Sequence, residues 1–152
     1  MQLTMTGEYA IRAMICLASK PAGTVMQIYD ISREWDIPES FLRKIVQLLS
    51  KAGFINSHRG VRGGIELAKP AESISLLDVI EAIEGKLFLN KCLVRPQTCR
   101  RDRWCAVHLV WHEAQQKMKE TLGSRSLASL ATLTAVRYQE LHPQEPQVAV
   151  YQ

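Results

Sequence analysis

The chain has 152 residues, 47% of them hydrophobic, enough for one compact domain or a small domain with an oligomerisation element. A formal net charge of +4 fits a polyanionic partner but does not demand one, because only charge gathered on a surface attracts. No stretch approaches the roughly 18 apolar residues of a membrane span. Met1–Thr6 lack the basic start and apolar run of a secretory signal, so the expected location is cytoplasmic.

Thr6 is placed to cap a first helix reaching about Ser19, with Ala10, Ala13, Met14 and Leu17 along one face. Cys16 on that helix reads as a small buried hydrophobe. A second helix, about Gln27 to Trp35, sets Ile28, Ile31 and Trp35 at helical spacing. It ends before Pro38, since proline disfavours helix in the residue preceding it. A third helix opens near Glu39, carries Phe41, Leu42, Ile45, Leu48 and Leu49 as its apolar stripe, and stops at Gly53. Two helices joined by so short a turn read as a helix-turn-helix.

Phe54–His58 and Ile65–Leu67 flank the run Arg59-Gly60-Val61-Arg62-Gly63-Gly64, the pattern of a β-hairpin with a glycine-rich tip. Ser75-Leu76-Leu77-Asp78 reads as a capping box opening a fourth helix that Gly85 closes. Residues 86–104 are irregular. A long helix from about Cys105 to Leu122 aligns Val107, Val110, Trp111, Ala114 and Met118, and a last helix lies near Leu127–Leu141. The tail from Pro143 to Gln152 shows little periodicity.

The polar face of the third helix offers Glu39, Ser40, Arg43, Lys44 and Gln47. Arg, Lys and Gln reach base edges in a major groove, and Ser and Lys hold phosphates. The hairpin tip is thin and basic. Arg59, Gly60 and Arg62 suit a narrow minor groove, where negative potential favours arginine. Helix-turn-helix followed by basic hairpin points to double-stranded DNA far more strongly than either part alone.

Of the four cysteines, Cys92, Cys99 and Cys105 form C-x6-C-x5-C, with His108 three residues on. Structural zinc sites pair ligands more closely than this, and wide gaps suit a loop wrapping a larger object. Arg95, Arg100, Arg101 and Arg103 stand among the thiols and would offset their charge as thiolates. Iron–sulfur, zinc and redox-active thiol readings all remain open on spacing alone.

The chain resembles a known family, the bacterial IscR, NsrR and RirA iron–sulfur winged-helix regulators. The likeness runs from Leu3-Thr4, Tyr9-Ala10 and Ala13-Met14 through Phe41-Leu42-Arg43-Lys44-Ile45 and Lys51-Ala52-Gly53-Phe54. It continues over the glycine-rich tip and Ser75–Ile80 to the three cysteines. The resemblance implies a homodimer on a pseudo-palindromic operator, with Cys92, Cys99 and Cys105 as cluster ligands. His108 would be the fourth ligand of a 2Fe–2S cluster. Glu8 of the partner subunit is the rival fourth ligand, of a 4Fe–4S cluster. Two departures stand out: IscR spaces its first two cysteines one residue closer, and Arg43 stands where IscR has glutamate.

The expected fold is mainly α with a small β-hairpin wing, a winged helix-turn-helix domain plus a long dimerisation helix. Residues 1–84 would form the DNA-binding domain, 85–104 the cluster loop, 105–141 the dimerisation helices and 142–152 a disordered tail. The expected function is a sequence-specific repressor whose DNA affinity follows a cluster sensing nitric oxide, redox state or iron and cluster supply. The alternative is a cluster-free winged-helix repressor, resembling CymR, that senses a thiol or protein signal. No phosphate-binding glycine loop, metalloprotease motif or nucleophile–base pair suggests an enzyme, and an electron carrier would leave the wing unexplained.

Overall fold

The computed structural model describes residues 2–61, 63–95 and 99–144; Arg62, and the tail from residue 145 on, lie outside the described residues. The elements in chain order are α1 (Met5–Ala18), α2 (Ile28–Glu34), α3 (Glu39–Lys51), β1 (Ile55–His58), β2 (Gly64–Leu67), α4 (Leu76–Glu84), α5 (Ala106–Gly123) and α6 (Leu127–Leu141). Short 3-10 turns at Ala71–Ser73 and Lys91–Leu93 precede α4 and follow it. The fold is the expected one, mostly helical with a two-stranded wing.

The start of α1 departs from expectation. Thr4, not Thr6, is the cap: its Oγ1 accepts from the Gly7 amide at 3.2 Å. The Thr4 amide and hydroxyl both donate to Glu84 Oε1, at 3.0 and 2.6 Å. A carboxylate at the end of α4 thus secures the N-terminus of α1, where the helix dipole also favours negative charge. Gly7 lies against that carboxylate, and a Cβ there would run into it.

Between α2 and α3 the chain reverses through Asp36, a non-glycine residue at φ +50°. Ser32 Oγ donates to the Ile37 carbonyl at 2.6 Å and the Ile37 amide donates to the Ser32 carbonyl at 3.0 Å, which secures the turn. Gly53, at φ +74°, lets the chain leave α3 directly into the wing. In the wing β1 and β2 run antiparallel, pairing Ile55 with Leu67 and His58 with Gly64. Met26 adds a one-residue third rung, exchanging backbone hydrogen bonds of 2.9 and 2.8 Å with Ile65.

One core holds these pieces together. Met14, Cys16 and Leu17 of α1 pack with Ile31, Leu42, Ile45, Leu49, Ile55, Ile65 and Val79, all buried. Each such aliphatic side chain contributes on the order of 1.5–3 kcal/mol relative to exposure. Leu127 and Ala131 of α6 are buried too, so the first half of α6 returns to brace α1. The Leu127 amide donates to the Ile74 carbonyl and the Leu76 amide to the Arg125 carbonyl, both at 2.8 Å, joining the starts of α6 and α4.

The helix α5 differs from the rest. Gln115 is its only buried residue, and its side-chain oxygen accepts from the Leu89 amide at 3.1 Å. Lys119 faces Glu81 of α4 at 3.5 Å. Val107, Leu109 and Val110 are all more than half exposed, with Trp111 beside them at 38%.

Candidate DNA-binding face and cysteine loop

The α3 face carries Ser40, Arg43, Lys44 and Gln47, all exposed, while Leu42, Ile45, Val46 and Leu49 are buried on the opposite side. Helical period separates the two faces, with two departures from the expected apolar stripe: Phe41 and Leu48 are 39% and 40% exposed, and Val46 is buried in their place. Arg43 Nη2 donates to Glu39 Oε2 at 2.9 Å, one turn earlier. An exposed pair of this kind adds only about 0.3–0.5 kcal/mol to a helix, so its chief effect is on where the guanidinium points. Lys44 lies over the Phe41 ring at 5.9 Å. Phe41 meets Tyr9 edge-on at 5.6 Å, and the Arg12 guanidinium covers Tyr9 at 5.5 Å.

The wing tip stands clear of the body. Arg59 and Gly60 are exposed, Gly60 adopts φ +106°, and the Gly63 amide donates to the Gly60 carbonyl at 2.9 Å. Val61 is 98% exposed, so the tip offers an apolar residue as well as Arg59. Arg62, also expected there, lies outside the described residues. Across the stem, His58 Nε2 meets Glu66 Oε1 at 2.8 Å. A cleft of about 320 Å³ separates wing from recognition helix, with Gln27, Tyr29, Arg43, Ser57, His58 and Gly60 in its walls.

Among the neighbours missed by sequence reasoning are Arg12, Gln27, Tyr29, Ser57 and His58. Only Arg12 carried a usable signal, an arginine on a helix face with no apolar role. The others reach the face through the turn into α2 and the wing stem, whose placement depends on tertiary packing.

The cysteine loop is built differently. Cys92 sits in the 3-10 turn, Cys99 follows the undescribed residues 96–98, and Cys105 is the N-cap residue of α5; all three are half-buried free thiols. His108 lies one turn into α5, and its buried Nδ1 has no hydrogen-bond partner. A buried ring nitrogen without a partner is costly, and a ligand at that atom would satisfy it. Three soft sulfur donors and one imidazole match an iron–sulfur group in chemistry. Among the described residues, however, no three His, Cys, Asp or Glu side chains converge on a common centre. Glu8 is exposed on the first turn of α1. Trp104, 73% exposed, carries the Arg101 guanidinium 5.9 Å over its ring.

Cys16 contrasts with the loop thiols. It is fully buried, its sulfur 3.9 Å from Met26 Sδ. Burial, reinforced by the nearby Glu34 carboxylate, pushes its thiol up to about 12, so it stays protonated and inert. It is the small core hydrophobe that its place on α1 suggested. No helix among the described residues is long and apolar enough to cross a membrane.

The chain and its fold have counterparts in known proteins. The chain matches the family described as iron-dependent transcriptional regulators, Rrf2, over residues 3–133. It is 32% identical over 139 residues to a protein of Haemophilus influenzae named as an HTH-type transcriptional regulator, covering 91% of this chain and 92% of that one. Among solved structures it is similar to CymR, the global cysteine regulator of B. subtilis, with a TM-score of 0.72 and 26% identity over 88% of this chain and 98% of that one. IscR of T. potens shares the fold, with a TM-score of 0.68 and 24% identity over 90% of each chain. With a family match over most of the chain, a relative 32% identical and solved structures alike in fold, the chain belongs to the Rrf2 family of transcriptional regulators and has their DNA-binding winged-helix fold.

Proposed function

We propose that the chain is a homodimeric, sequence-specific repressor whose DNA affinity is set by an iron–sulfur cluster in the loop between the reading domain and α5. The observation that carries the DNA half is the exposed Ser40, Arg43, Lys44 and Gln47 face standing beside the glycine-tipped wing. In this reading residues 1–84 bind DNA in the cytoplasm, 85–104 hold the cluster, and 105–141 carry the dimer contact. The exposed Val107, Leu109, Val110 and Trp111 support that contact, because so large an apolar strip is unfavourable in water. A two-fold dimer presents its recognition helices to a pseudo-palindromic site.

Cys92, Cys99 and Cys105 would hold the cluster, with His108 completing a 2Fe–2S site; the orphaned Nδ1 of His108 favours it over Glu8 of the partner subunit and a 4Fe–4S site. A cluster held there would supply a centre able to sense nitric oxide, redox state or iron and cluster supply. The residues themselves do the coupling. Cys105 is the N-cap residue of α5, so drawing the loop together fixes where that helix begins. An effector shifts DNA occupancy only by its differential affinity for the two states, about 1.4 kcal/mol for each tenfold.

A second reading, a cluster-free repressor answering a thiol or protein signal, is favoured by the likeness to CymR and by thiols that do not converge. Anaerobic purification separates the two. Bound iron and sulfide, a visible spectrum, and gel shifts that differ between cluster-loaded and stripped protein support the first reading. Colourless, iron-free protein that resists reconstitution supports the second. With a cluster present, His108→Ala is expected to change the visible spectrum or shorten cluster lifetime, and an unaltered spectrum and lifetime would remove His108 from the ligand set.

A further inference from the structure

The Glu39–Arg43 pair puts a carboxylate, which repels phosphate, on the face proposed to meet DNA; the dipole of α3 favours an acid in its first turn, and the ion pair gives that acid a second partner. Arg43 Nη2 donates to Glu39 Oε2 at 2.9 Å, and both side chains keep substantial exposure, 64% and 39%. Glu39 is the first residue of α3, so the contact draws the guanidinium back towards the helix N-terminus, the end that enters a major groove in helix-turn-helix proteins. One of five N–H donors is then used, and the outer edge keeps the fork that matches guanine O6 and N7. Without the carboxylate, a flexible arginine beside DNA settles on the nearest phosphate.

We propose that Glu39 is a positioning residue for base reading, holding Arg43 against guanine edges instead of the phosphate backbone. The inference rests on the DNA-binding reading above and adds to it a second residue that sets specificity. It also separates Arg43 from Lys44, whose ammonium lies over Phe41, and from Arg59 on the wing; these are left to backbone contact.

The test uses the full-length protein and duplexes selected by it from a randomised pool, with binding followed against salt. The wild type is expected to prefer guanine at one position per half-site. Glu39→Ala should lose about tenfold of that preference and steepen the salt slope by about one unit, as Arg43 turns to phosphate. Glu39→Gln keeps an acceptor for Arg43 and should retain most of the preference. A residue that merely favoured the helix dipole would lose its effect in both variants and alter base preference in neither. The double variant Glu39→Ala/Arg43→Ala should match Arg43→Ala alone, because Glu39 acts through Arg43. Wild-type preference persisting in Glu39→Ala overturns the proposal while leaving DNA binding intact. A wild type that selects no sequence from the pool overturns the DNA-binding reading and this proposal with it.

Discussion

The reading domain and the segment after it solve opposite problems. In α1 to α4 most apolar side chains pack into one core, and Thr4, Ser75 and Gly85 close ends of α1 and α4. In α5 one residue is buried, the neighbouring loop holds three uncrosslinked thiols, and a ring nitrogen of His108 is left without a partner. The first region largely satisfies itself, with the buried Trp35 Nε1 as an exception. The second exposes Val107, Leu109 and Val110 and holds its thiols uncrosslinked, which is where the proposed dimer contact and cluster would act.

That contrast can be broken most forcefully in the core. Leu42 is fully buried under the recognition helix, and Leu42→Ala removes its packing and leaves a cavity. The expected cost is about 2–5 kcal/mol, measured by urea unfolding of wild type and variant. A loss below about 1 kcal/mol would mean that α3 is not anchored through this face.

The same kind of change in α5 should leave the fold and remove the pairing. Val110 is 63% exposed, so Val110→Asp costs the single chain little. In a paired helix it buries a charge and is expected to weaken self-association at least about 100-fold. Sedimentation across a concentration series measures this. An unchanged oligomeric state, with an unchanged melting temperature, would place the subunit contact elsewhere.

Legibility in the sequence divides along the same line. Both ends of α4 were readable because their signals are local: Ser75 with Asp78, and Gly85 at φ +78°. The start of α1 was not, because the group that selects Thr4 over Thr6 is Glu84, 80 residues away. The Met26 rung was invisible as well, since a single residue has no alternation to detect. In the DNA face the exposed residues of α3 followed from helical period, whereas Gln27, Tyr29 and His58 entered only through the folded cleft. The cysteines were obvious in the sequence as a cluster of thiols, but among the described residues the fold does not bring three such donors to a common centre.

Within the reading domain, the helix and the wing should fail differently. Arg43→Ala is expected to cost about 1–3 kcal/mol on the preferred duplex and less on others, because base contacts discriminate. Arg59→Ala should weaken binding to all duplexes alike and lower the salt slope by about one unit. Fluorescence titration on two sequences at several salt concentrations gives both numbers. Equal losses from Arg43→Ala on every sequence would demote it to a phosphate contact, and an unchanged slope in Arg59→Ala would take the wing off the backbone.

The smallest expected effect tests whether the first region really closes its own ends. Ser75 Oγ accepts from the Asp78 amide at 3.1 Å while Asp78 Oδ2 accepts from the Ser75 amide at 2.8 Å. Ser75→Ala removes one half of this reciprocal cap and leaves an amide of the first turn of α4 to water, for about 1 kcal/mol. The Leu76 amide still donates to the Arg125 carbonyl, so α4 keeps its backbone tie to the start of α6. Stability should therefore fall slightly while DNA affinity, salt slope and oligomeric state stay as they were. If Ser75→Ala altered the dimer or the DNA affinity, the capping box would be transmitting the state of α6 to the reading domain, and the two regions would not be as independent as their burial implies.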